Sequence, residues 1–310
     1  MLAGEGVWEA RNPAEQGAHS PASGRWLRRS RRRGRSGLAR VAAGALVFVL
    51  GAGFIAAWTC WETRQVRLRS VEVPLPGLPR ELDGLRILHL SDLHGRWVGR
   101  SHRRLFAALS GTRFDLVAVT GDLLDMHAGG MLPAIALIEG LVPRAPTYVV
   151  PGNHDRSRPE FRELMDALVA LGAKVLINRG EELRVGPARI WVAGLDDATL
   201  GLDDLEAALR GRQARWCLLL SHCPAIFPQA AAMGVQLVLA GHTHGGQVRL
   251  PLVGAVWLPP GSGGFEGGLY CRDGHWLHVT VGLGTTLIPV RLLCRPELVL
   301  LVLRRQEPDR

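Results

Sequence analysis

From Leu85 onward, short apolar runs rich in valine and leucine alternate with amphipathic segments, and this alternation constrains the fold more than any other feature of the chain. Runs of this length are typical of β-strands that helices cover on both faces, so we predict an α/β domain. The pattern alone does not distinguish one sheet from two. The predicted strands are 86–92, 116–122, 147–153, 188–194, 216–222, 235–241, 276–282 and 297–303, and the predicted helices are 101–110, 132–142, 158–172 and 202–211.

Five of the predicted strands end in side chains that can bind metal ions or are directly followed by them. Taken singly, each has an ordinary explanation: Asp92 could cap a helix, and His222 could be a hydrogen-bonded core histidine. The carboxyl ends of strands in an α/β sheet form the functional crevice, so clusters at five strand ends are expected to converge in space. In chain order they are Asp92 with His94, Asp122, Asn153 with His154 and Asp155, His222, and His242 with His244.

The five clusters lie in the motifs SDLH, GDLLD, GNHD, SHCP and GHTHGGQ, which resemble the signature blocks of the calcineurin-like metallophosphoesterase superfamily in their order. The resemblance covers roughly residues 85–303. Within that superfamily, GHTHGGQVRLP and GLGTTLIPVRLLCRPEL resemble the bacterial membrane-associated phosphodiesterase branch, whose relatives include UDP-2,3-diacylglucosamine pyrophosphatases. The resemblance implies a four-layered α/β/β/α sandwich, and with it two sheets.

The resemblance also implies a ligand set for two divalent metal ions. Asp122 would bridge the two ions, and His154 would be the catalytic histidine, oriented by Asp155. An alternative role for Asp155 is to cap a helix. One ion would be held by Asp92, His94, Asp122 and His244, and the other by Asp122, Asn153, His222 and His242.

The chemistry of such a set is consistent with phosphoester hydrolysis. Imidazole and oxygen ligands without thiolate suit Mn, Fe or Zn, and the sequence does not choose among them. Two metals ~3.5–4 Å apart can hold a bridging hydroxide for in-line attack on phosphorus. His154, which is not a ligand, could then protonate the leaving oxygen as a general acid.

An uncharged segment precedes this domain. Residues 41–59 carry no charge, and the uncharged run extends to Trp61, which matches the ~20 residues that a helix needs to cross a bilayer. We predict a transmembrane helix or signal anchor at 41–61; a cleaved signal peptide is the main alternative. Eight arginines lie between Arg25 and Arg40, so the positive-inside rule predicts a cytoplasmic N-terminus and an extracytoplasmic catalytic domain.

The rest of the chain is divided by composition. Residues 1–40 are expected to be a disordered, arginine-rich arm, 62–84 a linker, and 85–305 the catalytic domain. The net charge of +9 comes mostly from the arm, which carries nine arginines against three glutamates. The folded part therefore has no electrostatic signature of a nucleic-acid-binding protein, and no nucleic-acid partner is expected.

The function predicted from these features is hydrolysis of a phosphodiester or pyrophosphate, in a substrate that is lipid-linked or close to the membrane. Protein Ser/Thr phosphatases are disfavoured, because Met126 and Asp155 stand where that class has an arginine and a glutamate. Two alternatives stay open: a cyclic-nucleotide or general phosphodiesterase, and a metal-dependent membrane scaffold without activity. The sequence gives no oligomeric state.

Overall fold

The computed structural model describes residues 24–95, 100–126 and 130–306. The chain divides into two compact units, with the boundary between Ile55 and Ala56. The first contains most of a long helix. The second contains both β-sheets and every predicted site residue.

The first sheet has six strands within the described residues. Its central strands run parallel, with Ile87 opposite Leu116 and Val117 opposite Thr147. In spatial order β1-β14-β2-β3-β4-β5, the strands are β1 (Arg67–Pro76), β14 (Glu297–Gln306), β2 (Arg86–Leu90), β3 (Leu116–Thr120), β4 (Thr147–Val150) and β5 (Lys174–Val175).

The second sheet also has six strands in the described part of the chain. Its strands β7 (Ala188–Gly194), β8 (Trp216–Leu220) and β9 (Leu237–Ala240) run parallel, and β6 (Arg179–Val185) and β12 (Gly268–Arg272) are antiparallel edges. In spatial order the strands are β12 (Gly268–Arg272), β13 (His275–Val279), β9 (Leu237–Ala240), β8 (Trp216–Leu220), β7 (Ala188–Gly194) and β6 (Arg179–Val185), and a separate ribbon pairs β10 (Arg249–Leu250) with β11 (Gly254–Ala255).

Helices cover the outer face of each sheet. Those of the second unit are α2 (Arg100–Ala108), α3 (Leu132–Leu141), α4 (Asn153–Arg156), α5 (Phe161–Ala170), α6 (Leu205–Leu209) and α7 (Phe227–Ala232). The long helix α1 is Gly24–Glu62.

Three apolar clusters separate four layers and confirm the α/β/β/α sandwich. One lies between the first sheet and α2, α3 and α5, one between the two sheets, and one between the second sheet and α6 and α7. Successive strand residues point to opposite faces, so Leu88 enters the outer cluster and Ile87 the inner one. This explains why the strands lack polar alternation. All eight predicted strands and four predicted helices are present, with ends shifted by up to three residues.

The segment 62–84 was expected to be a linker, and the structure corrects this. Residues Arg67–Pro76 form β1, paired in parallel with β14 from Arg67–Glu297 to Pro76–Gln306. The strand was missed because it contains Pro74 and Pro76, which an edge strand tolerates, and because its partner lies 230 residues away.

The expectation of a disordered arm over 1–40 is corrected in part. Residues 1–23 lie outside the described residues. From Gly24 the chain is helical and continuous with the apolar segment, because arginine, alanine and leucine all favour helix. Within α1, Arg40–Glu62 is the one helix in the described residues that is long and apolar enough to cross a membrane, with a mean hydropathy of 2.2.

Candidate metal centre

The backbone at the strand ends is held in an uncommon conformation. Asp92, His94, Asp122, His242 and His244 have φ values of 56°, 49°, 52°, 71° and 51°. Non-glycine residues rarely adopt this left-handed region, and such residues cluster at functional sites. The turns direct these side chains into the space above the carboxyl edges of both sheets.

Close backbone approach at this edge requires glycine. A Cβ atom on Gly121, where φ is +88°, would lie 2.7 Å from the backbone nitrogen of Gly152. The loops after β3 and β4 therefore touch, and any larger residue would separate Asp122 from Asn153.

One group of side chains comes from β2, β3 and β9. Nε2 of His94 lies 3.0 Å from Nε2 of His244 and 3.7 Å from Oδ2 of Asp122. Oδ1 of Asp92 lies 3.5 Å from Nε2 of His244, and both of its oxygens accept from the backbone N–H of His242. Asp92, His94 and His244 are buried, and together they could hold one metal ion.

A second group comes from β3, β4, β8 and β9. Nε2 of His222 lies 3.3 Å from Oδ2 of Asp122, 3.2 Å from Oδ1 of Asn153 and 3.1 Å from Nδ1 of His242. The resemblance implies that these four residues surround a second ion. They are neighbours here, and Oδ2 of Asp122 borders both groups.

The hydrogen bonds of the second group indicate whether a cation fits between the rings of His222 and His242. Nδ1 of His222 lies 2.8 Å from the carbonyl of Thr120, and Nε2 of His242 lies 2.6 Å from the carbonyl of Pro260. A carbonyl only accepts, so each of these nitrogens carries a hydrogen. If both rings are neutral, the remaining nitrogens are Nε2 of His222 and Nδ1 of His242. Each carries a lone pair, and the two lone pairs face each other at 3.1 Å. A cation between them relieves this repulsion, so the donor set fits a metal.

The charges around the site favour the same conclusion. Burial lowers the pKa of His94 to about 3 and that of His242 to about 4. Burial, His94 and Arg291 lower the pKa of His244 well below its usual value, so these rings are neutral, as metal ligands must be.

The exception is His222. Burial lowers its pKa, but Asp122 and Asp92 outweigh burial and raise it to about 10. The carboxylates thus demand a positive charge at this point, and a bound metal ion supplies it in place of the proton.

His154 lies beside the two groups, at the start of α4. Its Nδ1 accepts from the backbone N–H of Met126 at 3.1 Å, so the neutral ring carries its hydrogen on Nε2. Nε2 lies 3.9 Å from Oδ2 of Asp122, and the side chain is partly exposed. The ring can therefore donate to a group bound above Asp122.

Asp155 does not make the predicted contact with His154. Its Oδ1 accepts from the backbone N–H of Leu124 at 2.8 Å, and its Oδ2 from that of Gly152 at 3.0 Å. Both oxygens are thus occupied by backbone groups. Asp155 therefore caps α4, which is the alternative role given for it above. Its two hydrogen bonds also connect the loop after β3 to the loop after β4.

A cleft of about 470 Å³ opens over the site. Its floor is polar, but much of its wall is apolar, with Trp257 and Leu287 on two neighbouring loops. The lining residues are Asp122, Asp125, Met126, Asn153, His154, Thr199, His242, His244, Trp257, Pro259, Pro260, Thr286 and Leu287.

Sequence reasoning missed the acidic pair that follows β7. Asp196 forms an ion pair with Arg156, next to the GNHD motif, and Asp197 accepts from the hydroxyl of Thr199, which lines the cleft. The signal was present, because Asp196 and Asp197 follow a strand as the predicted site residues do.

Arg291 was also missed. It is fully buried, and its guanidinium donates to the carbonyls of Val281 at 2.8 Å, Gly284 at 3.0 Å and Cys294 at 3.2 Å. It also lies 3.4 Å from Nδ1 of His244. Arg291 therefore joins the loops around this ring, and its only sequence signal was the motif GLGTTLIPVRLLCRPEL.

Comparison with known proteins agrees with this geometry. The family model for calcineurin-like phosphoesterases matches residues 85–246, slightly more than half of the chain. A transmembrane protein with a metallophosphoesterase domain from Danio rerio is 32% identical over 252 residues, which are 76% of this chain and 57% of that protein. The chain thus spans little more than half the length of the fish protein.

Two bacterial relatives are covered more completely. The uncharacterized metallophosphoesterase YkuE of Bacillus subtilis is 28% identical over 273 residues, 85% of this chain and 93% of YkuE. The phosphodiesterase YaeI of Escherichia coli is 31% identical over 223 residues, 70% of this chain and 82% of YaeI. With the family model and these relatives, the fold and the metal-binding side chains show that the chain belongs to the calcineurin-like phosphoesterase family, whose members are hydrolases with a dinuclear divalent metal centre.

Proposed function

We propose that the chain is a membrane-anchored phosphodiesterase or pyrophosphatase whose substrate is lipid-linked or lies close to the bilayer. One observation carries the proposal. Oδ2 of Asp122 lies 3.7 Å from Nε2 of His94, 3.3 Å from Nε2 of His222 and 3.9 Å from Nε2 of His154. A single carboxylate oxygen thus borders both groups of metal-binding side chains and the candidate proton donor.

The ligand assignment is that implied by the motifs, and the distances given above support it. When bound, two divalent ions would lower the pKa of water to supply a nucleophile and would offset charge on the phosphoryl oxygens. The first ion would be held by Asp92, His94, Asp122 and His244, and the second by Asp122, Asn153, His222 and His242.

His154 acts on the leaving group in this proposal. The N–H of Met126 keeps the ring hydrogen on Nε2, on the side of Asp122 and the cleft. A phosphoryl group seated over Asp122 would have its leaving oxygen within reach of that hydrogen. Donation from Nε2 would then offset the negative charge that develops as the P–O bond breaks.

The class of substrate is inferred from the cleft and from α1. Trp257, Leu287 and Met126 form apolar walls beside a polar floor, an arrangement that suits an amphiphile with a phosphate. The apolar span Arg40–Glu62 would keep this cleft at a membrane. The excess of arginine before the span supports a cytoplasmic N-terminus and an extracytoplasmic catalytic unit.

The test is a substrate screen with the purified full chain in detergent. The compounds are UDP-2,3-diacylglucosamine, phospholipids, cyclic nucleotides and bis(p-nitrophenyl) phosphate, each with Mn, Fe or Zn and after chelation. We expect metal-dependent hydrolysis of the model diester and faster turnover of a lipid-linked substrate. Selective hydrolysis of cyclic nucleotides would show that the substrate is a cyclic nucleotide and not a lipid-linked phosphodiester. If the metal-loaded protein hydrolyses none of the compounds, the alternative of a metal-dependent membrane scaffold without activity is favoured.

A further inference from the structure

Two loops beside the cleft expose apolar side chains and no charge. The first is the 250–257 loop, LPLVGAVW, in which Leu250, Leu252, Val253, Val256 and Trp257 are exposed. Single exposed apolar residues are ordinary, but five in eight positions of an uncharged loop form a patch.

The second is the 286–293 loop, TLIPVRLL. Leu287, Ile288 and Leu293 are exposed, Leu287 to 80%. The one charged residue of this loop is Arg291, which is fully buried. The surface of this loop is therefore as apolar as that of the first.

The two loops lie side by side. The backbone N–H of Arg249 donates to the carbonyl of Leu292 at 3.0 Å, and the side chain of Gln247 bonds both backbone groups of Thr286 at 2.9 Å. Trp257 and Leu287 line the same cleft. We call the exposed apolar residues of 250–257 and 286–293 the apolar rim.

The end of the apolar span is bound to the second loop. The carboxylate of Glu62, the last residue of the span, accepts from the backbone N–H groups of Leu293 at 3.0 Å and Cys294 at 2.9 Å. The hydroxyl of Thr63 accepts from the backbone N–H of Arg291 at 2.9 Å. All of these residues belong to the second unit. The apolar rim thus begins where the chain leaves its apolar span.

Indole rings mark the same place. Trp58 and Trp61 lie in the last two turns of the span and are partly exposed, and indoles favour the boundary between lipid and water. The guanidinium of Arg295 lies 5.3 Å from the centre of the Trp61 ring. An aromatic ring with a cation beside it is suited to the level of lipid head groups.

We propose that the apolar rim inserts into the bilayer that the span crosses, and that the mouth of the cleft opens against the lipid head groups. The bilayer is the occupant because the rim is continuous with the point where the chain leaves it and has no exposed charge. Insertion of the apolar rim is inferred from these contacts alone. If the rim inserts, a phosphodiester can enter the cleft from the lipid, and this second step rests on the proposed function.

Insertion can be measured without activity, with the full chain in phosphatidylcholine liposomes. All five cysteines are free and, of these, Cys60 and Cys271 are exposed, so both are first replaced by serine. A nitrobenzoxadiazole fluorophore is then attached to Val253→Cys or, as matched control, to Val169→Cys. Val169 is an exposed valine near the C-terminal end of α5 and does not line the cleft.

We expect lipids with a nitroxide on the acyl chain to quench the fluorophore at 253 several-fold more than at 169. Equal, weak quenching at both positions overturns the proposal. A blue-shifted emission at 253 that is not quenched by lipid nitroxide and disappears on dilution of the protein in lipid would assign the rim to a second copy, and this also overturns the proposal.

A charged variant separates insertion from substrate entry. Val253→Asp should lower hydrolysis of UDP-2,3-diacylglucosamine in liposomes on the order of tenfold, since a carboxylate in the bilayer interface is costly. Hydrolysis of soluble bis(p-nitrophenyl) phosphate should not change, and Val169→Asp should change neither rate. An equal loss on both substrates contradicts entry from lipid. If no lipid is hydrolysed by the unaltered chain, the proposed function fails, whereas the quenching result still decides the insertion.

Discussion

Nε2 of His222 and Nδ1 of His242 face each other at 3.1 Å, while the opposite nitrogen of each ring is bound to a backbone carbonyl. Two neutral rings in this arrangement repel, and a proton or a metal ion must lie between them. With Asp122 3.3 Å from His222, the pair is part of a buried cluster whose stability depends on a cation.

Removal of metal should therefore lower the thermal stability of the protein. At a metal concentration 100 times the dissociation constant, binding to one site stabilises the folded state by about 2.7 kcal/mol. In a domain of this size that is a rise in Tm of roughly 5–10 °C. Tryptophan fluorescence during heating, with chelator and after addition of Mn²⁺ or Zn²⁺, measures the effect.

The control for metal removal is His242→Ala, which removes one side of the facing pair. Its Tm should rise less on addition of metal than that of the unaltered chain. The same Tm with and without metal in the unaltered chain would contradict a metal centre at these residues.

Replacement of His154 should lower turnover and leave metal content unchanged. His154→Ala removes the donor at Nε2 but none of the proposed ligands, so a loss of about 10²–10⁴-fold is expected for a substrate with an alkyl leaving group. The loss should be smaller for a nitrophenyl leaving group, because nitrophenolate needs little help from a proton donor. Turnover with both leaving groups and bound metal are measured on the same preparation.

The matched control for His154 is His275→Ala, on strand β13, where Nδ1 lies 2.6 Å from the carbonyl of Val235. It should change neither leaving-group dependence nor metal content. Loss of metal in His154→Ala would mean that the residue is a ligand and not a donor.

Asp155 should behave as a structural residue. An amide in Asp155→Asn has one oxygen to accept with, so one backbone N–H, that of Gly152 or Leu124, loses its acceptor in a buried place. We expect the free energy of unfolding to fall by about 1–3 kcal/mol. Urea denaturation of the full chain in detergent measures this. A loss of turnover as large as that of His154→Ala, at unchanged stability, would instead support an orienting role.

Much of the fold and site followed from local sequence. Buried strands and amphipathic helices have their own periodicities, and the carboxyl ends of parallel strands meet at one edge. Asp92 and His244 could therefore be expected to converge although 152 positions separate them. The four-layered arrangement came from the resemblance, because apolar runs look the same whether they form one sheet or two.

The features that were missed depend on distant partners. Strand β1 is recognisable only through β14, and Glu62 gains its role from backbone N–H groups more than 230 positions away. Arg291 has no periodic signal of its own, and its only sequence signal is its place in the motif GLGTTLIPVRLLCRPEL. Arg291 acts by donating to carbonyls that the surrounding loops direct inward. No local sequence pattern predicts where those carbonyls lie.

Replacement of Arg291 should weaken both the fold and the centre. Its guanidinium joins the carbonyls of Val281, Gly284 and Cys294 in a place without solvent, and the ammonium of Arg291→Lys cannot reach all three in one plane. The loop that lies against His244 would then shift. Each carbonyl left without a donor should lower the free energy of unfolding by about 1–3 kcal/mol, and we also expect weaker metal binding. Arg295→Lys, four positions along and exposed, should change neither quantity. Urea denaturation and metal titration of both variants measure the stability and the metal affinity. If the Arg291→Lys protein is as stable as the Arg295→Lys protein and binds metal with the same affinity, Arg291 does not position His244.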